Sequence, residues 1–238
     1  QGESLRLSRC PAALQLPVAR LATMTSIAII DYGMGNLHSI AKAMEHVAGN
    51  NRVLVTSSHE AIRAADRVVF PGVGAIRDCM KELGKTGLDD VIREVSASRP
   101  LLGVCLGMQA LLDESEENQG VACLGIVPGR VVRFPEKLQS ADSSETLKIP
   151  HMGWNQVHQC HAHPLWRSIP TDSRFYFVHS YYAVPDNNAD VAATTPYGVE
   201  FASVISRDNI FAAQFHPEKS QHAGLQLLSN FVDWNGES

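Results

Sequence analysis

The stretch that decides the fold of this chain, and with it the chemistry, reads Leu101-Leu102-Gly103-Val104-Cys105-Leu106-Gly107-Met108-Gln109. A short apolar strand runs into a turn with a glycine on each side of Cys105, and residues 108–113 then favour a helix. This is a nucleophile elbow, G-x-nucleophile-x-G, with sulfur in place of oxygen. The small neighbours are needed because the backbone of the nucleophile is strained and a substrate must approach closely. The pattern predicts a nucleophilic Cys105 at a helix N-terminus, whose partial positive charge favours a thiolate.

A second block near the C-terminus, Phe215-His216-Pro217-Glu218, supplies the base that such a nucleophile requires. His216 follows a predicted strand over residues 210–215. In extended backbone, residues i and i+2 point the same way, so Glu218 is predicted to hold the second imidazole nitrogen and fix the tautomer. An inert buried cysteine and a satisfied core histidine are the alternatives for each residue taken alone. Together, Cys105, His216 and Glu218 predict the catalytic triad of a cysteine-dependent enzyme.

Residues 71–74, Pro-Gly-Val-Gly, follow the end of another predicted strand and could form nothing more than a turn. Beside the elbow they acquire a role, because attack on a carbonyl creates an oxyanion that needs hydrogen-bond donors. The backbone N–H groups of Val73 and Leu106 are the predicted pair. Preorganised donors of this kind lower a barrier by about 3 kcal/mol each.

Composition bounds the class of protein. The chain has 238 residues, an apolar fraction of 45 % and a formal net charge of −5. These values favour one globular domain, and the absence of a basic patch gives no reason to expect nucleic acid as a partner. No apolar run approaches the roughly 18 residues of a membrane-spanning helix. The five cysteines are odd in number and contain no C-x-x-C pair, which predicts a reducing, cytoplasmic location.

The first residues differ from the rest of the chain. They contain Arg6, Arg9 and Arg20, and no acidic residue occurs between Glu3 and Asp31. Such a segment is typical of a transit peptide or of sequence upstream of a true start at Met24, and we favour the second. We therefore expect residues 1–24 to be an extension outside the fold and residues 25–238 to form the domain.

The order of the predicted elements indicates the fold class. From residue 27 to residue 104, continuous apolar runs alternate with helical patterns, which predicts a parallel sheet covered on both faces. The second half contains six strand candidates, one of them over residues 175–182, with Asp208-Asn209 as a hairpin turn, and a final helix over residues 221–234. We predict a single-domain α/β fold with a mixed, mostly parallel sheet and helices on both faces. Ligands bind beyond the C-terminal ends of such strands, where residues 71–74, Cys105 and His216 all fall.

Two further patterns are weak. Gly33-Met34-Gly35-Asn36 begins like a dinucleotide fingerprint, but His38 stands where the third glycine is required, so a contact surface is the better interpretation. The run of His158, Cys160, His161 and His163 suggests zinc ligands, but a second ligand pair is missing. We expect neither a metal nor a cofactor.

Taken together, the motifs resemble a known family, the class I (triad-type) glutamine amidotransferases, over about residues 26–235. The general resemblance is carried by Gly103-Val104-Cys105-Leu106-Gly107 and His216-Pro217-Glu218. A narrower similarity, to the glutaminase subunits of imidazole glycerol phosphate synthase, is carried by four blocks: Asp31-Tyr32-Gly33-Met34-Gly35-Asn36-Leu37, Phe70-Pro71-Gly72-Val73-Gly74, Pro150-His151-Met152-Gly153-Trp154-Asn155 and Val178-His179-Ser180-Tyr181-Tyr182. Several independent blocks in one order make chance unattractive as an explanation.

The resemblance implies a flavodoxin-like core and an activity. Glutamine would be hydrolysed to glutamate and ammonia through a thioester on Cys105. The ammonia would pass to a (β/α)8-barrel synthase, the second subunit of a heterodimer, which makes imidazole glycerol phosphate and AICAR ribonucleotide in histidine biosynthesis. Positions matching the family's glutamine-binding residues are Gly72, Gly74, Gln109, Glu117, Ser180 and Tyr181, and those at the docking face are Asn36, Trp154 and Lys219.

Three alternatives remain open from sequence. The chain could be the glutaminase of another amidotransferase, such as that of anthranilate or pyridoxal phosphate synthesis, although the blocks at residues 153–155 and 179–181 favour the histidine pathway. It could be a cysteine hydrolase or peptidase of related fold, or a silent regulatory subunit. The spacing to His-Pro-Glu disfavours the hydrolase, and the complete triad disfavours the silent subunit.

Overall fold

The computed structural model describes residues 24–35, 37–139 and 146–237. The predicted docking-face residue Asn36, the polar loop at residues 140–145 and all of the predicted extension except Met24 lie outside the described residues. Within the part that is described, no helix combines the length and the apolar character needed to cross a membrane.

Strands and helices alternate in the first half of the described chain, and strands dominate the second. The strands are β1 (Ser26–Ile30), β2 (Arg52–Thr56), β3 (Arg67–Gly72), β4 (Leu101–Cys105), β5 (Glu114–Ser115), β6 (Val121–Ala122), β7 (Gly129–Arg133), β8 (Leu138–Gln139), β9 (Thr146–Leu147), β10 (His151–Gln159), β11 (Ser173–His179), β12 (Tyr181–Pro185), β13 (Val191–Pro196), β14 (Glu200–Arg207) and β15 (Ile210–Ala213). The helices are α1 (Leu37–Val47), α2 (His59–Ala64), α3 (Ile76–Thr86), α4 (Leu88–Ser96), α5 (Leu106–Ala110) and α6 (Gln221–Asp233). Short 3-10 turns lie at Glu117–Gln119, Pro164–Trp166, Asn188–Asp190 and Pro217–Lys219.

The sheet has a parallel core and an antiparallel extension. Strands β2, β1, β3, β4 and β15 lie side by side in that order, and all four of these pairings are parallel. This is the flavodoxin-like order of a doubly wound sheet. The extension begins with the antiparallel pair of β15 and β14, which are joined by the predicted turn at Asp208-Asn209. The predicted α/β class with a mixed sheet is confirmed.

Alternation along the core strands divides the apolar residues between two faces. On β1, Ile27 and Ile29 pack on one side, where α1 and α6 supply the covering residues. Ala28 and Ile30 pack on the other, under α2, α3, α4 and α5. A strand buried on both faces reads as a continuous apolar run, which is why the sequence predicted helices on both faces.

Three elements differ from the sequence-based expectation. Helix α3 was missed, although Ile76, Cys79 and Leu83 form its buried stripe, because charged residues separate them. Helix α5 begins at Leu106, two residues earlier than predicted, because the backbone turns abruptly at Cys105. The strand predicted over residues 175–182 is interrupted at Ser180, since β11 pairs with β10 whereas β12 pairs with β7 and β14.

Two helical glycines give a matched test of this packing. A β-carbon on Gly224 of α6 would lie 1.9 Å from the carbonyl oxygen of Pro217, whereas one on the exposed Gly84 of α3 would meet nothing within 4 Å. We expect Gly224→Ala to lower the free energy of unfolding by about 1–3 kcal/mol, because backbone must move. Gly84→Ala should raise it by about 0.5–1 kcal/mol through helix propensity. Urea denaturation measures both, and equal effects of the two changes would contradict the packing of α6 on the Pro217 turn.

Candidate active site

The C-terminal ends of three neighbouring strands meet at one edge of the sheet, as predicted. Strand β3 ends at Gly72 and β4 at Cys105, and His216 follows the end of β15 by three residues. A cavity of about 340 Å³ opens at this edge. Its wall is formed by Val73, Gly74, Cys105, Leu106, Gln109, Glu117, Pro150, Val178, His179, Ser180, Tyr181 and His216. Its volume is that of a small-molecule site.

Cys105 has the strained backbone that the elbow predicts. Its φ is 54° and its ψ is −109°, and the chain passes directly from β4 into α5. A β-carbon on Gly107 would lie 1.9 Å from the carbonyl oxygen of Phe70, and one on Gly103 would lie 3.0 Å from the β-carbon of Ala212. The two glycines therefore permit close packing of the elbow against β3 and β15. A φ of this sign in a non-glycine residue costs about 1–3 kcal/mol and persists only where the surroundings enforce it.

His216 and Glu218 form a buried ion pair. The Nδ1 atom of His216 lies 2.8 Å from Oε1 of Glu218, and their side chains are 2 % and 7 % exposed. The expected contact is present, but the expected backbone is not. Residues Pro217–Lys219 form a 3-10 turn, so the two side chains meet by curvature and not by the alternation of an extended strand. The hydroxyl of Ser220 closes the turn by donating to the carbonyl oxygen of His216 at 2.6 Å.

The electrostatic state of His216 follows from its neighbours. Burial by itself lowers the pKa of the imidazole, but the electrostatic influence of Cys105 and Glu218 outweighs this and raises the pKa to about 10. Since Nδ1 faces Glu218, the buried Nε2 is the nitrogen that remains for Cys105. The ring is therefore an imidazolium at neutral pH, beside the sulfur it can serve as an acid.

The predicted oxyanion donors and glutamine-binding residues separate into two groups. Val73, Leu106, Gly74, Gln109, Glu117, Ser180 and Tyr181 all line the cavity. Gly72 does not; it lies behind the loop, where a β-carbon would come within 2.8 Å of the Tyr32 hydroxyl oxygen and 3.0 Å of the Gly107 nitrogen. Its place is thus at the contact between the 71–74 loop and the elbow.

The two residues predicted at the docking face that the structure describes, Trp154 and Lys219, belong to segments that both contact the strand of Tyr176. Trp154 on β10 is 38 % exposed and pairs in register with Tyr176 on β11, with the ring centroids 6.1 Å apart. Tyr176 accepts a hydrogen bond from the backbone N–H of His216 and so borders the turn that carries the exposed Lys219. Met152, 62 % exposed, extends this surface along β10.

Sequence reasoning missed three buried polar residues at the site. Gln214 is fully buried, and its Nε2 lies 3.7 Å from Sγ of Cys105. His151 and His179 are bonded to each other, with Nδ1 of His151 3.0 Å from Nε2 of His179. The signal for Gln214 was a single amide in the apolar run Ile-Phe-Ala-Ala-Gln-Phe that precedes His216.

The histidine-rich run on β10 and beyond does not converge on one point. His158 pairs with Asp172 at 3.0 Å, and Nδ1 of His163 accepts a hydrogen bond from the backbone N–H of Leu165. No group of three or more metal-ligating side chains occurs in the described ranges.

Comparison with known proteins agrees with this geometry. The model of the family "Glutamine amidotransferase class-I" matches residues 28–234. The "Imidazole glycerol phosphate synthase subunit HisH" of Nitrosococcus oceani is 64 % identical over 215 residues, which cover 90 % of this chain and 100 % of that protein. The corresponding "HisH 1" of Pseudomonas aeruginosa is 60 % identical, over 90 % of this chain and 99 % of its own length.

Solved structures share the fold at much lower identity. PurLQS from Thermotoga maritima is 12 % identical with a TM-score of 0.66, covering 89 % of this chain and 99 % of that one. A glutamine amidotransferase from Thermotoga maritima is 16 % identical with a TM-score of 0.56, covering 82 % of this chain and 77 % of that one. From the family match and the identities over nearly the full length of the relatives, this chain belongs to the class I glutamine amidotransferases and, among them, to the HisH subunits of imidazole glycerol phosphate synthase.

Proposed function

We propose that this chain is a glutaminase subunit that supplies ammonia to a (β/α)8-barrel synthase, which uses it to form imidazole glycerol phosphate and AICAR ribonucleotide in histidine biosynthesis. The observation that carries the proposal is the meeting of Cys105 and His216 in the wall of one cavity, with Glu218 bonded to the ring. The identity to HisH subunits supports the choice of this synthase. The four unpaired cysteines among the described residues fit the reducing cytoplasm in which a catalytic thiol stays active.

In the proposed first step, the Cys105 thiolate attacks the carboxamide carbon of glutamine and a sulfur–carbon bond forms. The oxyanion accepts hydrogen bonds from the backbone N–H groups of Leu106 and Val73. His216, as imidazolium, gives its Nε2 proton to the leaving nitrogen, so the carbon–nitrogen bond breaks with release of ammonia. A γ-glutamyl thioester and a neutral imidazole remain.

In the second step, the neutral His216 takes a proton from water, which attacks the thioester carbon. Glutamate leaves, and the thiolate–imidazolium pair is restored. Glu218 stabilises each imidazolium and holds the ring with Nε2 toward the sulfur. Cys105 and His216 are both buried, so the proton is exchanged between them and the substrate and is not lost to solvent.

The cavity wall offers complementary groups for glutamine. Both amide hydrogens of Gln109 are engaged, one with the carbonyl of Tyr181 and one with Gln214, so its Oε1 is the atom left to accept from substrate. Glu117 uses Oε2 to accept from the backbone N–H of Ile76, which fixes its carboxylate at the mouth as a partner for the substrate ammonium. Ser180, Tyr181 and Gly74 complete the proposed contacts.

The partner is proposed to dock on the surface formed by Met152, Trp154, Tyr176 and Lys219. Exposed aromatic and apolar residues are expected at the centre of an interface, with a charged residue at its rim. The surface borders the His216 turn, so ammonia released at Cys105 has a short way to the partner. Direct transfer matters because ammonia that reaches bulk water is protonated and loses its nucleophilicity.

The nucleophile can be tested directly. Cys105→Ala should reduce glutamine-dependent synthesis by about 10⁴-fold or more, as expected for loss of a covalent nucleophile. Synthesis from added ammonium salts, which needs only the barrel subunit, should be unchanged. Both rates are measured on the complex, with the exposed Cys160→Ala as the matched control that keeps full activity. Glutamate release surviving in Cys105→Ala would refute the assignment of Cys105.

The thiolate–imidazolium pair can be tested by titration. Because Cys105 contributes to the elevated pKa of His216, Cys105→Ala should move that pKa down from about 10. NMR of the imidazole carbons as a function of pH gives the value, and Cys123→Ala, which removes a buried thiol not coupled to His216, serves as the control. A histidine whose pKa is higher in the folded than in the unfolded state stabilises the fold fully below the unfolded pKa of about 6.5. This contribution is lost as the pH rises to the folded pKa, so the free energy of unfolding of the wild type should fall as the pH approaches 10. A His216 pKa that is the same in both variants would contradict the pairing.

The docking surface can be tested by binding. Trp154→Ala should raise the Kd for the barrel subunit about 30-fold, the effect of losing one interface hot spot. Val55→Ala is the matched control, because Val55 is similarly exposed, at 40 %, but lies on β2 at the outer end of the parallel core. Isothermal titration calorimetry measures both. An effect of Val55→Ala equal to that of Trp154→Ala would place the interface elsewhere.

A further inference from the structure

Gln214 is a buried amide that the triad mechanism does not use. It lies between the end of β15 and His216, with no exposed surface, and its backbone N–H donates to the carbonyl of Ser203 at 2.9 Å. Its side chain is therefore anchored from the main chain and points among the groups of the site, where Nε2 lies 3.7 Å from the Cys105 sulfur. A buried amide costs stability unless its polar atoms are paired, so its retention in an apolar run calls for a partner.

The orientation of the Gln214 amide is fixed by Gln109. Nε2 of Gln109 lies 2.9 Å from the carbonyl oxygen of Tyr181 and 2.9 Å from Oε1 of Gln214. A backbone carbonyl only accepts, so the Gln109 atom that faces it must be the nitrogen. The Gln214 atom that faces this nitrogen must then be the oxygen. The NH₂ group of Gln214 consequently faces the sulfur, and it donates.

The hydrogen bond from Gln109 to the Tyr181 carbonyl forms one arm of a network, and a second arm, through His179 and His151, reaches the same carbonyl. Nδ1 of His179 donates to the Tyr181 oxygen at 2.8 Å. Nε2 of His179 is therefore an acceptor, and it accepts a hydrogen bond from Nδ1–H of His151 at 3.0 Å. Nε2 of His151 in turn faces the amide nitrogen of Asn155 at 3.4 Å, which also donates to the carbonyl of Pro196 at 2.9 Å. Each hydrogen bond in this arm thus has a defined donor, and all of them point from Asn155 toward the Tyr181 carbonyl.

Both histidines are held in the neutral form that these bonds need. Burial lowers the pKa of His151 to about 4. Burial is also the main cause for His179, whose pKa is lowered to about 3; the hydrogen bond to the Tyr181 carbonyl opposes the shift, and the charge on His216 adds to it. His151 is further clamped between the rings of Phe177 and Tyr197, with centroids 4.8 and 3.9 Å away.

The direction of the bonds excludes a proton relay and leaves a positional role. The two arms meet head-on at the Tyr181 oxygen, which accepts from both His179 and Gln109. A proton cannot pass through an oxygen that has none to give. What the chain can transmit is position, from Asn155 on β10, next to the exposed Trp154, to the sulfur of Cys105.

We propose that Gln214 is a positioning residue that donates a hydrogen bond to the Cys105 thiolate, and that the neutral pair His151–His179 holds it there through the Tyr181 carbonyl and Gln109. The inference rests on the proposed function only in that Cys105 is the nucleophile. Gln214 and His216 would serve the sulfur differently: the amide stabilises the thiolate but cannot protonate it, whereas the imidazolium can. The network also ties the geometry of the thiolate to the strand that presents the docking surface.

The test compares two buried amides changed to the same residue. Gln214→Leu removes the donor to the sulfur, whereas Asn230→Leu removes a similarly buried amide on α6 that donates to the carbonyls of Leu165 and Arg167 and accepts from the Gln226 amide, far from Cys105 in the hydrogen-bond network. Iodoacetamide alkylation of the full-length chain is followed by peptide mass spectrometry across pH, with the exposed Cys160 as the internal reference. We expect the midpoint of the Cys105 profile to move to higher pH by about 1–2 units in Gln214→Leu, the size of one hydrogen bond to a charged atom, and to stay in place in Asn230→Leu.

Turnover gives the second measurement. In the complex, Gln214→Leu should lower kcat for glutamine about 10- to 100-fold and raise KM by less, since Gln214 contacts the sulfur directly and reaches the substrate only through its bond to Gln109. A loss that is only structural would lower stability in both leucine variants and leave the Cys105 profile unmoved, which would overturn the proposal. Should Gln214→Leu fail to fold, Gln214→Met keeps the length of the side chain but has no donor for the sulfur, and the same shift is expected.

The far arm has its own variant. His151→Phe preserves ring stacking with Phe177 and Tyr197 but removes the donor to His179, so the Cys105 profile should move in the same direction by less than about one unit. An unmoved profile would overturn the role of the histidine pair. Alkylation needs no glutamine, so these outcomes remain decisive even where the wild-type complex shows no glutaminase activity, a result that would refute the proposed function alone.

Discussion

The abrupt turn at Cys105 is the constraint on which the rest of the site depends. Strand β4 delivers the sulfur at the edge of the sheet, and α5 starts at the next residue, so one side chain is left facing the cavity in a backbone conformation that L-residues avoid. Close packing maintains this strained backbone: Gly107 packs against the carbonyl of Phe70, and Gly103 packs against Ala212. Both neighbours belong to strands that pair with β4, so the parallel core fixes the nucleophile more firmly than any local preference could.

The same core explains why distant segments of sequence meet. Cys105 and His216 are over a hundred positions apart, yet β4 and β15 are adjacent parallel strands, with Val104 opposite Ala213. Parallel neighbours end at one edge, so whatever follows either strand is brought to the same place. The 3-10 turn after His216 then folds Glu218 back against the ring and is sealed by Ser220 and by α6, whose Gly224 packs against the carbonyl of Pro217. A helix on one face thereby supports an acid–base group at the edge.

Local pattern carried the prediction where a single segment determines the structure, and failed where partners come from elsewhere. The elbow, the parallel core and the turn at Asp208-Asn209 were readable because glycine spacing and apolar runs express them directly. The His216–Glu218 contact was predicted for the wrong backbone, since curvature and alternation both bring i and i+2 within reach. Gln214 was missed because its role depends on Gln109 and Tyr181, which sequence does not place beside it. Gly72 was grouped with the cavity residues because a motif lists neighbours without saying which way each one faces.

Three buried histidines at the site, His216, His151 and His179, have pKa values shifted in opposite directions. Cys105 and Glu218 raise the pKa of His216, whereas His151 and His179 are bonded to each other, to amides and to a carbonyl, so burial lowers the pKa of both. The states reinforce one another, since the charge on His216 adds to the lowering of the His179 pKa. A neutral His179 leaves Nε2 able to accept from His151, while its Nδ1–H donates to the Tyr181 carbonyl. The neutral pair of His151 and His179 therefore depends mainly on burial, and the charge at the triad strengthens a state that burial already sets.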